Sequence, residues 1–199
     1  IKDAGIEENT LIFLLSDNGG ASYTHATDNG PLKGGKLTQF EGGINVPFMM
    51  KWKGQIPAGM RYQHPVSSTD IFATTVAAVG GALPDDREYD GVDLVPFVNG
   101  QEEGVPHQRL FWRADHIWAI RDGKYKLILS TRDGWAELYD LEVDKPEQIN
   151  LREQMPELYE KLHEEHQQWQ KDELHKKPSW PRIMDKRFVL DGKEYLFPA

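Results

Sequence analysis

The stretch Leu11-Ile12-Phe13-Leu14-Leu15-Ser16-Asp17-Asn18-Gly19-Gly20 decides how this chain is read. A continuous apolar run between Asn9 and an Asp-Asn-Gly-Gly turn has the pattern of a strand buried on both faces of a parallel sheet. The turn falls at the carboxyl end of that strand, where open α/β sheets place their ligands. Asp17 and Asn18 offer a carboxylate and an amide carbonyl, hard oxygen donors suited to Ca²⁺ or Mg²⁺. Asp-Asn-Gly is also ordinary turn chemistry, and on the residues alone that reading stays open.

Downstream, residues 20–43 are rich in glycine and polar residues without a sustained period, which predicts a long loop of the kind that carries function. Val46–Trp52 reads as a second strand, with Pro47 near its start. Ser67-Ser68-Thr69-Asp70 supplies helix N-cap chemistry for an apolar helix over Ile71–Val79, stopped by Gly80-Gly81. Strand, loop, strand, helix is an α/β pattern.

From about His107 the texture changes to short aromatic-rich strands, Leu110–Arg113, Ile117–Arg121, Tyr125–Ser130 and Glu137–Leu141, with a hairpin signal at Asp122-Gly123. They predict an antiparallel meander. Pro156 opens a helix whose Leu158, Leu162 and Trp169 share one stripe that should cover a sheet face, and Asp191-Gly192 marks a last hairpin. The expected organisation is α/β over residues 1–108, then an antiparallel sheet plus helix over 109–199. Trp112, Trp118 and Trp135 are read as core residues rather than sugar platforms.

Composition narrows the chemistry. The 199 residues contain no cysteine, which excludes disulfides, zinc-thiolate sites and a cysteine nucleophile. A net charge of -9 argues against nucleic acid as a partner, and no run approaches the length of a membrane span. Yet Asn29–Gln63 holds five basic residues, Lys33, Lys36, Lys51, Lys53 and Arg61, against the single acid Glu41, a local net of +4 that points to an anion site. Gly30-Pro31-Leu32-Lys33-Gly34-Gly35-Lys36 begins like a phosphate-binding loop, but Leu37 stands where its Ser/Thr should be and Gly42-Gly43 would cut short the required helix. What remains is a backbone able to approach an anion closely, with Lys36 as a point charge.

Ser16-Asp17-Asn18-Gly19, Pro31-Leu32-Lys33-Gly34-Gly35-Lys36 and Phe40-Glu41-Gly42-Gly43-Ile44-Asn45-Val46-Pro47-Phe48 resemble, in order and spacing, the second-half signature of type I sulfatases. The similarity continues through Thr69-Asp70-Ile71-Phe72, Arg121-Asp122-Gly123-Lys124-Tyr125-Lys126-Leu127 and Glu137-Leu138-Tyr139-Asp140-Leu141. The resemblance implies an alkaline-phosphatase-like fold, its mixed or parallel sheet followed by a small antiparallel subdomain with a packed helix, and hydrolysis of the sulfate ester of a small molecule or a saccharide, a choice the sequence leaves open. It implies that Asp17 and Asn18 are ligands of an active-site Ca²⁺, and that Lys36 contacts the sulfate group. His25, the histidine of the long loop, is a candidate substrate contact beside Tyr23 and Thr24.

Lys33 stands where the family commonly has Arg, and Ala73 where it often has Pro; neither position is expected to carry the chemistry. The family's nucleophile, a formylglycine made from Cys or Ser in a C/S-x-P-S-R motif, is expected in an N-terminal half outside this chain, whose own activity would then be nil. Ser179-Trp180-Pro181-Arg182 is a chance approach to that motif. The resemblance favours a periplasmic or secreted location. Two other readings stay open: a phosphatase or phosphodiesterase of the same superfamily, and a non-catalytic carbohydrate-binding module.

Overall fold

In the computed structural model, residues 1–173 and 184–198 are described, and the Ser179–Arg182 segment lies outside them. The chain runs β1 (Ile12–Leu15), a one-turn helix α1 (Glu41–Ile44), β2 (Phe48–Lys51), α2 (Asp70–Ala78), a second one-turn helix α3 (Val95–Val98), β3 (Arg109–Ala114), β4 (Ile117–Asp122), β5 (Tyr125–Ser130), β6 (Ala136–Asp140), α4 (Pro156–Glu173), β7 (Asp185–Leu190) and β8 (Lys193–Pro198). It divides into two units, one of residues 1–15 and 47–108, the other of residues 16–46 and 109–199.

In the first unit β1 and β2 form an antiparallel ribbon, with Phe13 opposite Met50 and Leu15 opposite Phe48. The burial expected of Leu11–Leu15 on both faces is not seen: Leu14 and Met49 are each 58% exposed. The physical reason is that the ribbon has two strands among the described residues, and a pair alone covers neither of its faces. Helix α2 starts one residue before the reading of the sequence. Thr69 makes no side-chain cap; Asp70, fully buried, accepts instead from the Ser67 N–H at 2.7 Å, the Val92 N–H at 3.0 Å and His107 Nε2 at 2.8 Å. Gly80, at φ +72, ends the helix as expected.

The second unit is built around the meander β3-β4-β5-β6, antiparallel throughout. Period-2 alternation sorts its side chains onto two faces. Ile120, Leu127, Leu129, Ala136 and Leu138 meet Leu162 of α4 on one face, and Trp169 stacks on Phe111 with ring centroids 4.9 Å apart. Ile117, Ala119, Ile128 and Tyr139 point to the other, where Phe40 of the long loop and Phe188, Tyr195 and Phe197 of the β7–β8 hairpin complete the core. Asp191 and Gly192 both take positive φ at the tip of that hairpin, as its two-residue turn requires. Trp112, Trp118 and Trp135 all pack against these clusters. No helix of the described residues is long and apolar enough to cross a membrane.

Candidate active-site loop

Residues 16–46 close on themselves through backbone contacts that leave no room for side chains. The Gly19 N–H donates to Gly43 O at 2.9 Å, and a Cβ on Gly19 would lie 1.7 Å from Gly42 O. Lys36 N–H donates to Gly20 O at 3.0 Å, and a Cβ on Gly35 would lie 2.5 Å from the same oxygen. Asn29 ties the two stretches, its Oδ1 accepting from Gly20 N–H at 2.8 Å and its Nδ2 donating to Gly20 O and Gly34 O. The glycines are thus needed for close approach of backbone to backbone. The result sets the backbone that follows the Asp17-Asn18 turn against the turn that bears Lys36.

Asp17 is exposed and Asn18 half-buried. Asn18 Nδ2 donates to Asp17 Oδ1 at 2.5 Å. The donor chemistry of the pair, a carboxylate and an amide that can turn to present its Oδ1, would suit a hard divalent ion as two of the six to eight oxygens calcium takes. Among the described residues no three His, Cys, Asp or Glu side chains cluster as a complete metal site.

The two lysines of the loop have opposite fates. Lys33 is 7% exposed; its ammonium donates to Tyr195 Oη at 3.1 Å, Tyr139 Oη at 3.2 Å and Glu137 Oε2 at 3.4 Å, and sits 4.5 Å from the Phe40 ring centre. It anchors the loop to the sheet and to the β7–β8 hairpin, so its charge is spent internally. Lys36 is half-buried, and its ammonium has no hydrogen-bond or ion-pair partner among the described residues. His25 is exposed at the end of a 3-10 turn with φ 57. A hollow of about 280 Å³ borders the same loop, lined among others by Ser22, Asn29, Lys33, Gln148 and Asp191. A larger one of about 740 Å³, in the first unit around Met49, Trp52, Ile56 and Tyr62, includes none of the candidate residues.

Sequence reasoning missed the ions beneath the loop. Lys126 is fully buried between two carboxylates, 2.9 Å from Glu41 Oε1 and 2.8 Å from Glu147 Oε1. Glu147 Oε2 accepts from the Glu41 N–H at 2.6 Å. Burial pushes the Glu147 carboxyl above the ordinary carboxylate range despite Lys126. Burial also opposes ionisation of Glu41, yet the charge and hydrogen bond of Lys126, with a bond from Asn45, hold it below that range. Glu137 is likewise held low against its burial by bonds from Lys193 and Tyr139 and the charge of Lys33. One signal was available: in a strand, Lys126 shares a face with Ile128, in phase with the core.

The fold has close relatives among solved structures. Ps i-CgsB in complex with k-i-k-neocarrahexaose superposes with a TM-score of 0.77 at 30% identity, over 90% of this chain and 40% of that one. The PsFucS1 sulfatase from Pseudoalteromonas sp. gives 0.70 at 28% identity, over 88% and 40%. The molecule is therefore an α/β protein of the alkaline-phosphatase-like superfamily. The family model described as Sulfatase matches residues 1–82, and N-acetylgalactosamine-6-sulfatase of Canis lupus familiaris is 39% identical over 69% of this chain and 27% of its own length. Human arylsulfatase D is 40% identical over 61% of this chain and 22% of its own. The chain belongs to the sulfatase family, and spans roughly a quarter of the length of these curated relatives.

Proposed function

We propose that this chain supplies part of the active site of a sulfuric ester hydrolase, in which Lys36 holds the sulfate group and Asp17 and Asn18 are two ligands of a calcium ion. The observation that carries the reading is Lys36: a half-buried lysine whose ammonium has no partner among the described residues, and whose backbone N–H is fixed to the O of Gly20, three residues along the chain from Asp17. A fixed positive charge stabilises the charge that shifts onto sulfate oxygens as the ester bond breaks, and stabilises it more strongly where water is partly excluded. Bound calcium supplies Lewis-acid polarisation of those oxygens. Residues outside this chain provide the remaining acidic ligands and the formylglycine nucleophile. The substrate class is sulfated saccharides, supported by the carbohydrate sulfatases among the relatives, with the exposed His25 as a candidate contact to the sugar.

The test is metal content and substrate choice in the complete enzyme. Asp17→Ala is expected to abolish calcium retention in elemental analysis, and the parent enzyme to hydrolyse an aryl sulfate in preference to an aryl phosphate. Full calcium in the variant would remove Asp17 from the site; preference for the phosphate would move the enzyme to the phosphatase branch, and no turnover of either would favour a binding module.

A further inference from the structure

Glu147 sits in the loop after β6, fully buried, with φ +59, a left-handed conformation that a glutamate keeps only when its surroundings hold it there. It grips Glu41 twice, directly through the 2.6 Å bond to the Glu41 N–H, and through Lys126, which bridges the two carboxylates. Glu41 opens α1, and α1 is packed onto the turn that bears Lys36. The Gly42 N–H donates to Lys33 O at 2.7 Å, and a Cβ on Gly43 would stand 2.1 Å from Thr38 O and 2.5 Å from Gly35 O. Thr38 N–H closes the Gly35–Thr38 turn on Gly35 O at 2.9 Å, with Lys36 inside it.

The charge count makes Glu147 more than ballast. Glu41 and Lys126 alone would form a balanced buried pair. A second buried carboxyl group adds a desolvation cost that the Glu41–Lys126 pair does not require. What Glu147 adds is its bond to the Glu41 backbone, which fixes α1 against the Lys36 turn. We infer that Glu147 is a positioning residue for Lys36, acting through Glu41 and α1. The inference rests on the reading of Lys36 as the sulfate contact.

A double-mutant cycle in the complete enzyme, assayed on an aryl sulfate and normalised to folded protein by circular dichroism, tests it. Glu147→Ala is expected to lower kcat/KM by roughly 10- to 100-fold, the scale of a small misplacement of a reacting group. Glu147→Gln keeps an acceptor for the Glu41 N–H and should stay within about threefold of the parent. In a Lys36→Ala background, Glu147→Ala should cost less than about threefold more, because the group it positions is gone. A full, additive penalty in that background overturns the inference, as does Glu147→Gln proving as damaging as Glu147→Ala. If Lys36→Ala is itself without effect, the sulfate-contact reading falls and this inference with it. Should Glu147→Ala fail to accumulate, Glu147→Asp, which withdraws the carboxylate by one methylene, takes its place in the cycle.

Discussion

The ribbon that carries the apolar run and the sheet that carries the loop are stabilised in contrasting ways. In the first unit Leu14 and Met49 of β1–β2 and Phe72 and Val79 around α2 are more than half exposed, and its lysines 51 and 53 pair with Glu7 and Glu8 at the surface. In the second, both faces of the meander are covered by the chain's own residues, and charges are buried in pairs and triads. The long loop thus serves two purposes: Lys33 and Glu41 spend their charges on anchorage, while Lys36 and Asp17 are in no ion pair among the described residues.

The sharpest way to break this contrast is to remove the cation of the triad. Lys126→Ala leaves Glu41 and Glu147 buried without compensation and should destabilise the second unit by about 3–5 kcal/mol in denaturant unfolding. A loss below about 1 kcal/mol would mean that the triad does not hold the loop.

Next is pH. His166 of α4 is buried against the Trp118 indole, with ring centroids 5.1 Å apart, and its nitrogens reach Trp112 O at 3.2 Å and Gln170 Nε2 at 3.0 Å, a donor and acceptor pairing that neutral imidazole satisfies. Burial, chiefly, drives its pKa down to about 4. Because the folded value lies below the unfolded one, the unfolded chain binds the proton more readily. The contribution is therefore complete above about pH 6.5 and is lost as pH falls toward about 4, up to about 3 kcal/mol. His166→Phe should flatten the stability profile in that window; an unchanged slope would assign the acid sensitivity elsewhere. At the small end, Lys51→Ala removes a 3.5 Å pair with Glu7 whose lysine is 64% exposed, and should change stability by no more than about 0.5 kcal/mol.

Much of the fold was legible because its signals are local. Alternation and turn residues placed β3–β6, Pro156 placed α4, and Asp191-Gly192 placed the last hairpin. The sense of the β1–β2 pairing was not legible, since an apolar run looks the same whether its neighbour runs parallel or antiparallel. Nor was the packing of residues 16–46 with the C-terminal sheet, which depends on contacts between positions such as Glu41 and Glu147, 106 residues apart. Of the candidate site, Asp17, Asn18 and Lys36 were singled out through the family resemblance, and what the structure adds is the backbone contacts of Gly19 with Gly43 and of Lys36 with Gly20. The buried triad was hidden because a lysine in a strand is ordinarily solvated.

The account turns on the difference between the two loop lysines, and Lys36 in the complete enzyme tests it most directly. Lys36→Ala should lower kcat/KM toward an aryl sulfate by roughly 10²-fold or more with folding intact, and Lys36→Arg should rescue little, because a planar fork on a longer stem misplaces the charge. Kinetics within about twofold of the parent in a folded Lys36→Ala enzyme would contradict the account, making Lys36 a solvated loop lysine.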